Sequence, residues 1–387
     1  MIKAAFYSFA VEYTPVFLRI DANIPIIDGI IQSDFRLQSI RPTLDWLLQK
    51  KAIVVLATHI GRPQHPSKAL STEQLIPWFK KHGYPAMFAA SLDKAHQLIH
   101  QKHPLIILEN LRFFKEEQEG SMAFAQQLAQ LASYYIDDAF ATLHRKDTSI
   151  YLLPTLFPKN KRSIGLLVEK EIEQLTLLLN KPRTEYTFIL GGGKITTKIP
   201  LIEHFIQKVE TLILCPALVF TFLKAKGISV GRSLVDDTVI DVCAHIINQA
   251  KKHNTTIIYP VDYQIAEKSI AGKLSYTTDA LIPVEDIGIS VGPRSIEMIT
   301  AICQKSSTIF YNGLIGIPQR PETTIGSQQI ITAITQSSAY SVIAGGDSIG
   351  LIEKDQQLTI KPYLSTGGGA TLCFLSEEPL PGLEALM

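Results

Sequence analysis

The sequence predicts an α/β protein with a parallel sheet in each half of the chain. Apolar runs with the length of strands alternate with helical patterns in the first half, and the same alternation returns in the second half. Strands that alternate with helices form parallel sheets covered by helices on both faces. With 387 residues, the chain has the length of two or three domains.

The composition is that of an ordinary globular protein. The hydrophobic content is 46%, the charged content 19% and the net charge +1, whereas nucleic-acid-binding proteins usually carry a strong basic excess. The longest uncharged apolar run, Ile213–Leu223, contains Pro216 and is too short to span a bilayer. The N-terminal apolar run stops at Glu12, which is atypical of a signal peptide. We therefore expect a cytoplasmic protein without a nucleic-acid or membrane partner.

The cysteines are typical of reduced thiols in a cytosolic protein. They are far apart and form no C-x-x-C motif, which argues against a cysteine metal site: Cys215, Cys243, Cys303 and Cys373.

Polar or charged residues follow each predicted strand of the first half. The predicted strands are Val16–Ile20, Ile53–Ala57, Leu105–Leu108 and Tyr134–Ile136, with helical patterns such as Arg36–Lys50 and Ser121–Ser133 between them. Ligands of parallel sheets bind beyond the carboxyl ends of the strands. The residues near these ends are Asp21, Asn23, Arg36, His59, Arg62, Arg112, His144 and Arg145.

This grouping of arginines and histidines predicts a site for a small polyanion. A single arginine after a strand is usually a solvated loop residue, but several strands that end close to a basic side chain indicate one binding region. Guanidinium groups bind carboxylate and phosphate in a bidentate manner. The histidines are expected to be hydrogen-bond donors, because no serine or cysteine nucleophile accompanies them in a recognisable motif.

A long amphipathic segment, Ile164–Leu179, separates the two halves. Its apolar residues follow helical spacing, and Lys181-Pro182 ends it. We interpret it as the connector between two domains; a helix that lies wholly inside one domain is the alternative.

The stretch Leu190–Pro200 (LGGGKITTKIP) predicts a phosphate cradle. It follows the strand-like run Thr187–Leu190, and its glycines allow backbone N–H groups to approach a ligand closely. The expected helix after them places Lys194 and Lys198 on one face, where they repel unless an anion lies between them. A tight strand–helix turn with two solvated lysines is the alternative. The spacing does not match a Walker loop.

Other loops of the second half are also rich in glycine: Gly288–Gly292, Asn312–Gly316 and Gly345–Ser348. The last follows the strand-like run Tyr340–Ala344 and begins a predicted helix. Glycines with a carboxylate, Asp347, suit nucleotide phosphates and a magnesium ion; a turn with a helix cap is the alternative. Ser365–Gly369 has the backbone freedom of a hinge. An anion-binding half and a nucleotide-binding half together suggest phosphoryl transfer.

Motifs along the whole chain resemble those of the phosphoglycerate kinase family. They are RIDANIP, DFRLQSIRPT, ATHIGRP, LENLRF, YIDDAFATLHR, LGGGKITTKI, FTFLKAKG, YNGLIG, AGGDS, LSTGGGA and LPGLEAL. The resemblance implies two doubly wound, Rossmann-like domains joined by a helix and a hinge. The implied N-terminal, phosphoglycerate-binding domain spans residues 1–165 with a C-terminal return at 370–387. A connector helix at 166–180 and a nucleotide-binding domain at 181–369 follow from the same resemblance.

The family interconverts 1,3-bisphosphoglycerate and ADP with 3-phosphoglycerate and ATP, using Mg²⁺, in glycolysis and gluconeogenesis. The resemblance therefore implies a phosphotransferase with a carboxyl group as acceptor, and we expect a monomer. The implied phosphoglycerate ligands are Asp21, Asn23, Arg36, His59, Arg62, Arg112 and Arg145. Catalytic roles are implied for Arg36, Lys194 and Lys198, and Asp347 is implied at the magnesium ion. The implied nucleotide ligands are Lys198, Gly288, Asn312, Gln319, Gly345, Gly346, Asp347 and Ser348.

Several residues depart from the family pattern, most of them around the nucleoside. Cys215-Pro216-Ala217 replaces a glycine run, and Gln319 replaces a glutamate expected at the ribose. The other departures are Ala22 for phenylalanine, Leu314 for proline, Ser290 for aspartate and Asp147 for histidine. The departures leave open a catalytically weakened pseudoenzyme or regulatory binding protein. A hinge-closing ligand-binding protein without chemistry is the other alternative, and the paired lysines and lack of a signal peptide argue against it.

Overall fold

The structure is a computed structural model that describes residues 3–352 and 362–387. The chain divides into two compact units. One consists of the chain up to Leu175 together with Glu377–Met387, and the other of Thr176–Ser376. The division falls inside the helix Leu166–Leu179.

The first unit is built on a six-stranded parallel sheet. Its strands are β1 (Pro15–Ile20), β4 (Ile53–Ala57), β5 (Ala86–Ala89), β6 (Leu105–Leu108), β7 (Tyr134–Asp138) and β8 (Arg162–Ile164). Two short strands after β1, β2 (Ile26–Ile27) and β3 (Ile30–Ile31), form a separate hairpin. The order in the sheet is β5-β6-β4-β1-β7-β8, with every neighbouring pair parallel.

Alternate residues of the central strands pack into two different cores. In β1, Val16 and Leu18 belong to one core and Phe17 to the other, because successive side chains of a strand point to opposite faces. The helices of this unit are α1 (Phe35–Ser39), α2 (Arg41–Gln49), α3 (Ile76–Lys81), α4 (Leu92–His100), α5 (Lys115–Glu119) and α6 (Met122–Ala129). Helix α7 (Leu166–Leu179) is shared by both units, and a short helix, Pro381–Glu384, lies at the end of the chain. Helices thus cover both faces of the sheet.

The second unit has a six-stranded parallel sheet in the order β11-β10-β9-β15-β16-β17 and a smaller antiparallel sheet in the order β13-β12-β14. The strands are β9 (Tyr186–Leu190), β10 (Thr211–Leu214), β11 (Thr256–Ile258), β12 (Tyr263–Ala266), β13 (Leu274–Tyr276), β14 (Ile287–Val291), β15 (Thr308–Asn312), β16 (Tyr340–Ala344) and β17 (Tyr363–Ser365). The helices of this unit are α8 (Ile199–Phe205), α9 (Leu218–Ala225), α10 (Ile240–Lys252), α11 (Pro293–Lys305), α12 (Ile325–Gln336), α13 (Gly346–Ile352) and α14 (Gly369–Leu375). The C-terminal helix Pro381–Glu384 of the first unit is α15.

Short 3₁₀ segments connect several of these elements: Phe6–Ser8, Lys68–Leu70, Thr72–Leu75, Leu111–Phe113, Phe140–Thr142, Leu153–Leu156, Lys159–Lys161, Asp237–Val239 and Pro321–Thr323. Thr148–Leu152 forms a π-helical turn. Within residues 3–352 and 362–387, no helix combines the length and the apolar character needed to cross a bilayer.

The α/β class with two parallel sheets is confirmed, and the differences from the predicted elements have local causes. Arg36–Lys50 forms two helices instead of one, because Pro42 lies in the first turn of α2 and cannot continue a preceding helix. Helix α7 begins two residues later than the apolar pattern, at Leu166. There the Asp138 carboxylate accepts the N–H groups of Leu167 and Val168 at 2.9 and 3.2 Å, as a helix-capping group does.

The prediction that a helix carries both Lys194 and Lys198 is wrong. Lys194 lies in an irregular segment, and Lys198 is the residue that precedes the first turn of α8. Pro200, in that first turn, suits a helix start. The run of three glycines therefore leads into a loop of several residues before the helix begins.

Candidate functional site

The predicted anion-binding residues follow four adjacent strands of the first sheet. Strands β6, β4, β1 and β7 are neighbours and parallel, so their carboxyl ends share one edge. The residues that follow them there are Arg112 after β6, His59 and Arg62 after β4, Asp21 and Asn23 after β1, and His144 and Arg145 after β7. We call this set, with Arg36 of α1, the basic edge.

An ion pair between Asp21 and Arg36 lies at the basic edge. The Asp21 side chain is 6% exposed, and it also accepts the Asn23 N–H at 2.9 Å. Burial would raise the pKa of the Asp21 carboxyl, but Arg36 and the Asn23 N–H together hold it below its usual value. Asp21 is therefore a carboxylate that keeps Arg36 in place.

The loops after β1, β4 and β6 are tied together at Gly61. The Gly61 N–H donates to Asn23 Oδ1 at 2.8 Å, and the Gly61 carbonyl accepts from Arg112 Nη1 at 2.6 Å. Arg145 belongs to the same group, since Asp21 and Arg62 both act electrostatically on it; burial is the main reason that its pKa is lowered. The structure thus brings together the residues that the sequence placed in one region.

Several buried nitrogen atoms of the basic edge have no hydrogen-bond partner within the described part of the chain. They are His59 Nε2, Arg112 Nε and His144 Nδ1. Leaving a buried polar group unpaired typically costs about 1–3 kcal/mol. The oxygen atoms of a bound phosphate or carboxylate would give the N–H groups among these nitrogens their missing acceptors.

The sequence patterns do not predict two further residues of this region. Arg19 lies in β1 with its side chain fully buried, 3.3 Å from His59. Asn110 holds two loops, because its Nδ2 donates to the carbonyls of Ile60 and Leu70 at 2.8 and 2.7 Å. The available signal was an arginine inside the otherwise apolar strand PVFLRI, since a buried arginine needs partners.

The predicted nucleotide residues of the second unit follow four adjacent strands in the same way. Strands β10, β9, β15 and β16 are neighbours and parallel. Their carboxyl ends lead into Cys215–Ala217, Gly191–Lys198, Asn312–Gly316 and Gly345–Ser348. We call these four loops the glycine-rich edge.

Backbone and side-chain hydrogen bonds join these loops. Gly191 N donates to the Asn312 carbonyl and Gly192 N to the Pro216 carbonyl, both at 3.0 Å. Asn312 Nδ2 donates to the Ala344 carbonyl, also at 3.0 Å, so it connects the ends of β15 and β16. Asn312 thus has a structural role at the edge where it was predicted to bind nucleotide.

Gly313 allows two of the loops to approach closely. Its φ is +97°, and a Cβ atom there would overlap the Gly191 carbonyl group and lie 3.4 Å from Lys198 Cε. Only glycine adopts this conformation without strain.

Lys198 is buried at the glycine-rich edge, with 6% of the residue exposed, whereas Lys194 is exposed. Burial, followed by the charge of Lys194, lowers the pKa of Lys198 to about 8. The two lysines therefore repel as expected, although they do not share a helix. An anion next to Lys198 would relieve this repulsion.

The remaining predicted nucleotide residues differ in their surroundings. Gly288 lies in β14, where a Cβ atom would lie 2.7 Å from the Ile282 side chain and within 2.9 Å of the Phe220 ring, so packing alone requires glycine there. Gln319 is exposed in a turn, and Ser348 is buried in α13. Gly346 begins α13, and Gly345, with a φ of +111°, precedes it. The side chain of Asp347 lies outside the part of the chain that the structure describes.

No group of three or more His, Cys, Asp or Glu side chains that could hold a metal ion occurs in residues 3–352 and 362–387. All four cysteines are free thiols, and three of them are buried.

Comparisons with known proteins give one consistent result. The family model described as phosphoglycerate kinase matches residues 7–378. A phosphoglycerate kinase of Chlamydia felis is 37% identical over 389 residues, covering 97% of this chain and 96% of the relative. One of Bdellovibrio bacteriovorus is 34% identical over 387 residues, covering 96% and 94%. The crystal structure of phosphoglycerate kinase from Pyrococcus horikoshii has a TM-score of 0.86 at 29% identity and covers 100% of this chain and 98% of that chain.

Proposed function

The chain belongs to the phosphoglycerate kinase family, and on that premise we propose how its two edges share the reaction. It is a phosphotransferase with a carboxyl group as acceptor, and it interconverts 1,3-bisphosphoglycerate and ADP with 3-phosphoglycerate and ATP in glycolysis. The family match over residues 7–378 is the observation that carries this conclusion. The comparisons give no support to the pseudoenzyme alternative.

We propose that the basic edge binds phosphoglycerate and that the first unit is the phosphoglycerate-binding domain. The unpartnered nitrogens of His59 and Arg112, and the bidentate capacity of Arg62 and Arg145, support this assignment. Arg36, which Asp21 holds in place, would contact the transferring phosphoryl group. Asn23 would contact the substrate from the loop that Gly61 anchors.

The proposed nucleotide site is the glycine-rich edge of the second unit. Gly345, Gly346 and Ser348 would hold the phosphates, while Gly288, Asn312 and Gln319 would lie along the nucleoside. Lys198 would contact the transferring phosphoryl group, with Lys194 as its support. An anionic ligand would stabilise the buried ammonium group of Lys198 more than that of the exposed Lys194, because the charge of Lys198 is poorly solvated.

The Asp347 carboxylate would hold the magnesium ion that accompanies the nucleotide. Magnesium is usually bound by one or two carboxylates together with substrate phosphates, so the site needs no cluster of protein ligands. When bound, the ion neutralises phosphate charge. We also propose that the protein acts as a monomer in the cytoplasm, consistent with its four free thiols.

The chemistry needs positioning and charge neutralisation more than a protein base. In the direction of ATP consumption, a carboxylate oxygen of 3-phosphoglycerate attacks the γ-phosphorus, a new P–O bond forms, and the bond to the β,γ-bridging oxygen breaks. The acceptor is already ionised, so no proton has to be removed. Arg36 and Lys198 would stabilise the charge on the transferring group.

Two substitutions test the assignment of the phosphoryl site. We expect Lys198→Ala and Arg36→Ala each to lower kcat about a hundredfold or more, because each removes one electrostatic donor, and Lys194→Ala to lower it less. Lys305→Ala, an exposed lysine of α11, is the matched control. A near-wild-type kcat for folded Lys198→Ala would remove Lys198 from the site.

A further inference from the structure

Arg19 lies directly beneath the basic edge and takes no part in the proposed substrate contacts. Its side chain is fully buried, and its guanidinium group makes three hydrogen bonds. Nε donates to Ser149 Oγ at 2.9 Å, Nη1 donates to the Ile20 carbonyl, and Nη2 lies 3.3 Å from His59 Nδ1.

The contact with His59 determines which of its ring nitrogens carries the proton. A guanidinium group has five N–H donors and no acceptor, so His59 Nδ1 must accept from Arg19. The imidazole is neutral at pH 7, because burial lowers the pKa of His59 to about 3; Arg19, Arg145 and Arg36 act in the same direction and Asp21 against it. In a neutral ring whose Nδ1 accepts, the proton is on Nε2.

The protonated nitrogen is the one without a partner. His59 Nε2 is buried and has no hydrogen-bond partner among the described residues, and Arg112 Nε, at the same edge, is in the same condition. An Nε2–H group needs an acceptor, and a phosphate or carboxylate oxygen supplies one. In the opposite tautomer a lone pair would face that oxygen and repel it.

We propose that Arg19 is a positioning residue that fixes the Nε2–H tautomer of His59, so that His59 presents a neutral hydrogen-bond donor to an oxygen atom of the bound acidic substrate. The inference rests on the proposed function in one respect, the assignment of the basic edge to phosphoglycerate.

Arg19 is itself held by a buried network. Ser149 Oγ accepts from Arg19 and donates to Glu117 Oε1 at 2.6 Å, and Ser149 N donates to Glu117 Oε2 at 3.0 Å. Glu117 is fully buried, and the charge of Arg19 counteracts the rise in its pKa that burial causes. Because Nε and Nη1 are both hydrogen-bonded, Arg19 is held with Nη2 directed at His59 Nδ1.

Nitrogen-15 NMR of histidine-labelled protein without substrate tests the first half of the proposal. We expect the His59 signals, assigned by their loss in His59→Gln, to show the Nε2–H tautomer alone. Arg19→Lys, which keeps a cationic donor, should preserve it, and Arg19→Met should give a mixture of tautomers. An Nδ1–H tautomer in the wild type would overturn the proposal, and this experiment does not need the Arg19 variants to fold.

The KM for 3-phosphoglycerate tests the second half. The amide nitrogen of glutamine can take the place of Nε2, whereas that of asparagine takes the place of Nδ1. We therefore expect both variants to raise KM, and His59→Asn to raise it about tenfold more than His59→Gln, the effect of losing one hydrogen bond to a charged group. Equal KM values for the two variants would overturn the donor role.

Failure of the proposed function would look different: the wild type would show no turnover, while its NMR spectrum would be unaffected.

Discussion

At the scale of single residues, Lys198 shows how a functional charge opposes stability. In the unfolded chain Lys198 has its ordinary pKa of 10.5, whereas in the folded protein burial and the charge of Lys194 lower the pKa of Lys198 to about 8. The unfolded state therefore binds more protons between these pH values, and stability rises with pH across this window. Below about pH 8 Lys198 is protonated in both states, so the folded protein carries the full free-energy cost of burying the charge.

The variant Lys198→Met should therefore be more stable than the wild type at pH 7 while losing activity. We expect a gain on the order of 2–3 kcal/mol in the free energy of unfolding, because a pKa change of one unit corresponds to about 1.4 kcal/mol. The gain should shrink as the pH rises from 8 towards 10. Urea unfolding at several pH values measures it, with Lys305→Met as the exposed control. A variant less stable than the wild type at pH 7 would contradict this account.

At the scale of elements, the two edges differ in how their loops are held. Side chains tie the loops of the basic edge, for example through Asn23 and Arg112 at Gly61. At the glycine-rich edge backbone groups approach each other directly, as at Gly191 and Asn312. Substitutions there should act first through backbone geometry.

Gly313→Ala should be strongly destabilising and should weaken nucleotide binding. The new Cβ atom would meet the Gly191 carbonyl group, in addition to the strain of a positive φ of 97°. Gly227→Ala is the matched control, since Gly227 has a φ of +75° and nothing within 4 Å of the added atom. We expect the control to lose roughly 1 kcal/mol and Gly313→Ala clearly more. Equal losses in thermal unfolding would show that the close approach is unimportant.

The residues that depart from the family pattern near the expected nucleoside site predict weak or relaxed selectivity for the nucleotide base. Pro216 and Ala217 add side-chain bulk where glycines would lie flat, whereas Cys215 is fully buried in the hydrophobic core of this unit. The neutral Gln319 gives weaker hydrogen bonds than a carboxylate. Gln319 is exposed, so Gln319→Glu should fold normally and lower the KM for ATP several-fold, the effect of about 1 kcal/mol. Initial rates with ATP, GTP and ITP test this. Tight, adenine-selective binding by the wild type would refute it.

The sequence predicted the strands of the two edges better than the loops between them. Ile53–Ala57, Leu105–Leu108 and Tyr340–Ala344 have the predicted bounds, because continuous apolar runs are typical of parallel strands buried on both faces. Strand β7 extends through Asp137 and Asp138, which no hydrophobic pattern could indicate. Asp137 accepts a hydrogen bond from Tyr135 in the same strand. The partner of Asp138, the Leu167 N–H group, lies 29 residues further along the chain. Contacts of this kind also hid Arg19.

At the scale of the whole molecule, the reaction requires that two substrates held by separate units come within bonding distance. We therefore expect the units to close on binding both ligands, with Gly367–Gly369 and α7 as hinges. Small-angle scattering should give a smaller radius of gyration with 3-phosphoglycerate and a non-hydrolysable ATP analogue than without them. The same radius with both sites occupied would argue against closure.

We propose that the basic edge and the glycine-rich edge hold the two substrates of one phosphoryl transfer. The most direct test is the turnover of 3-phosphoglycerate by the purified protein with ATP and magnesium, followed by phosphorus-31 NMR and by a coupled assay of the acyl phosphate. We expect ADP and 1,3-bisphosphoglycerate to form in equal amounts, only when both substrates are present. ATP hydrolysis without an acyl phosphate, or no reaction while both substrates bind, would contradict the claim.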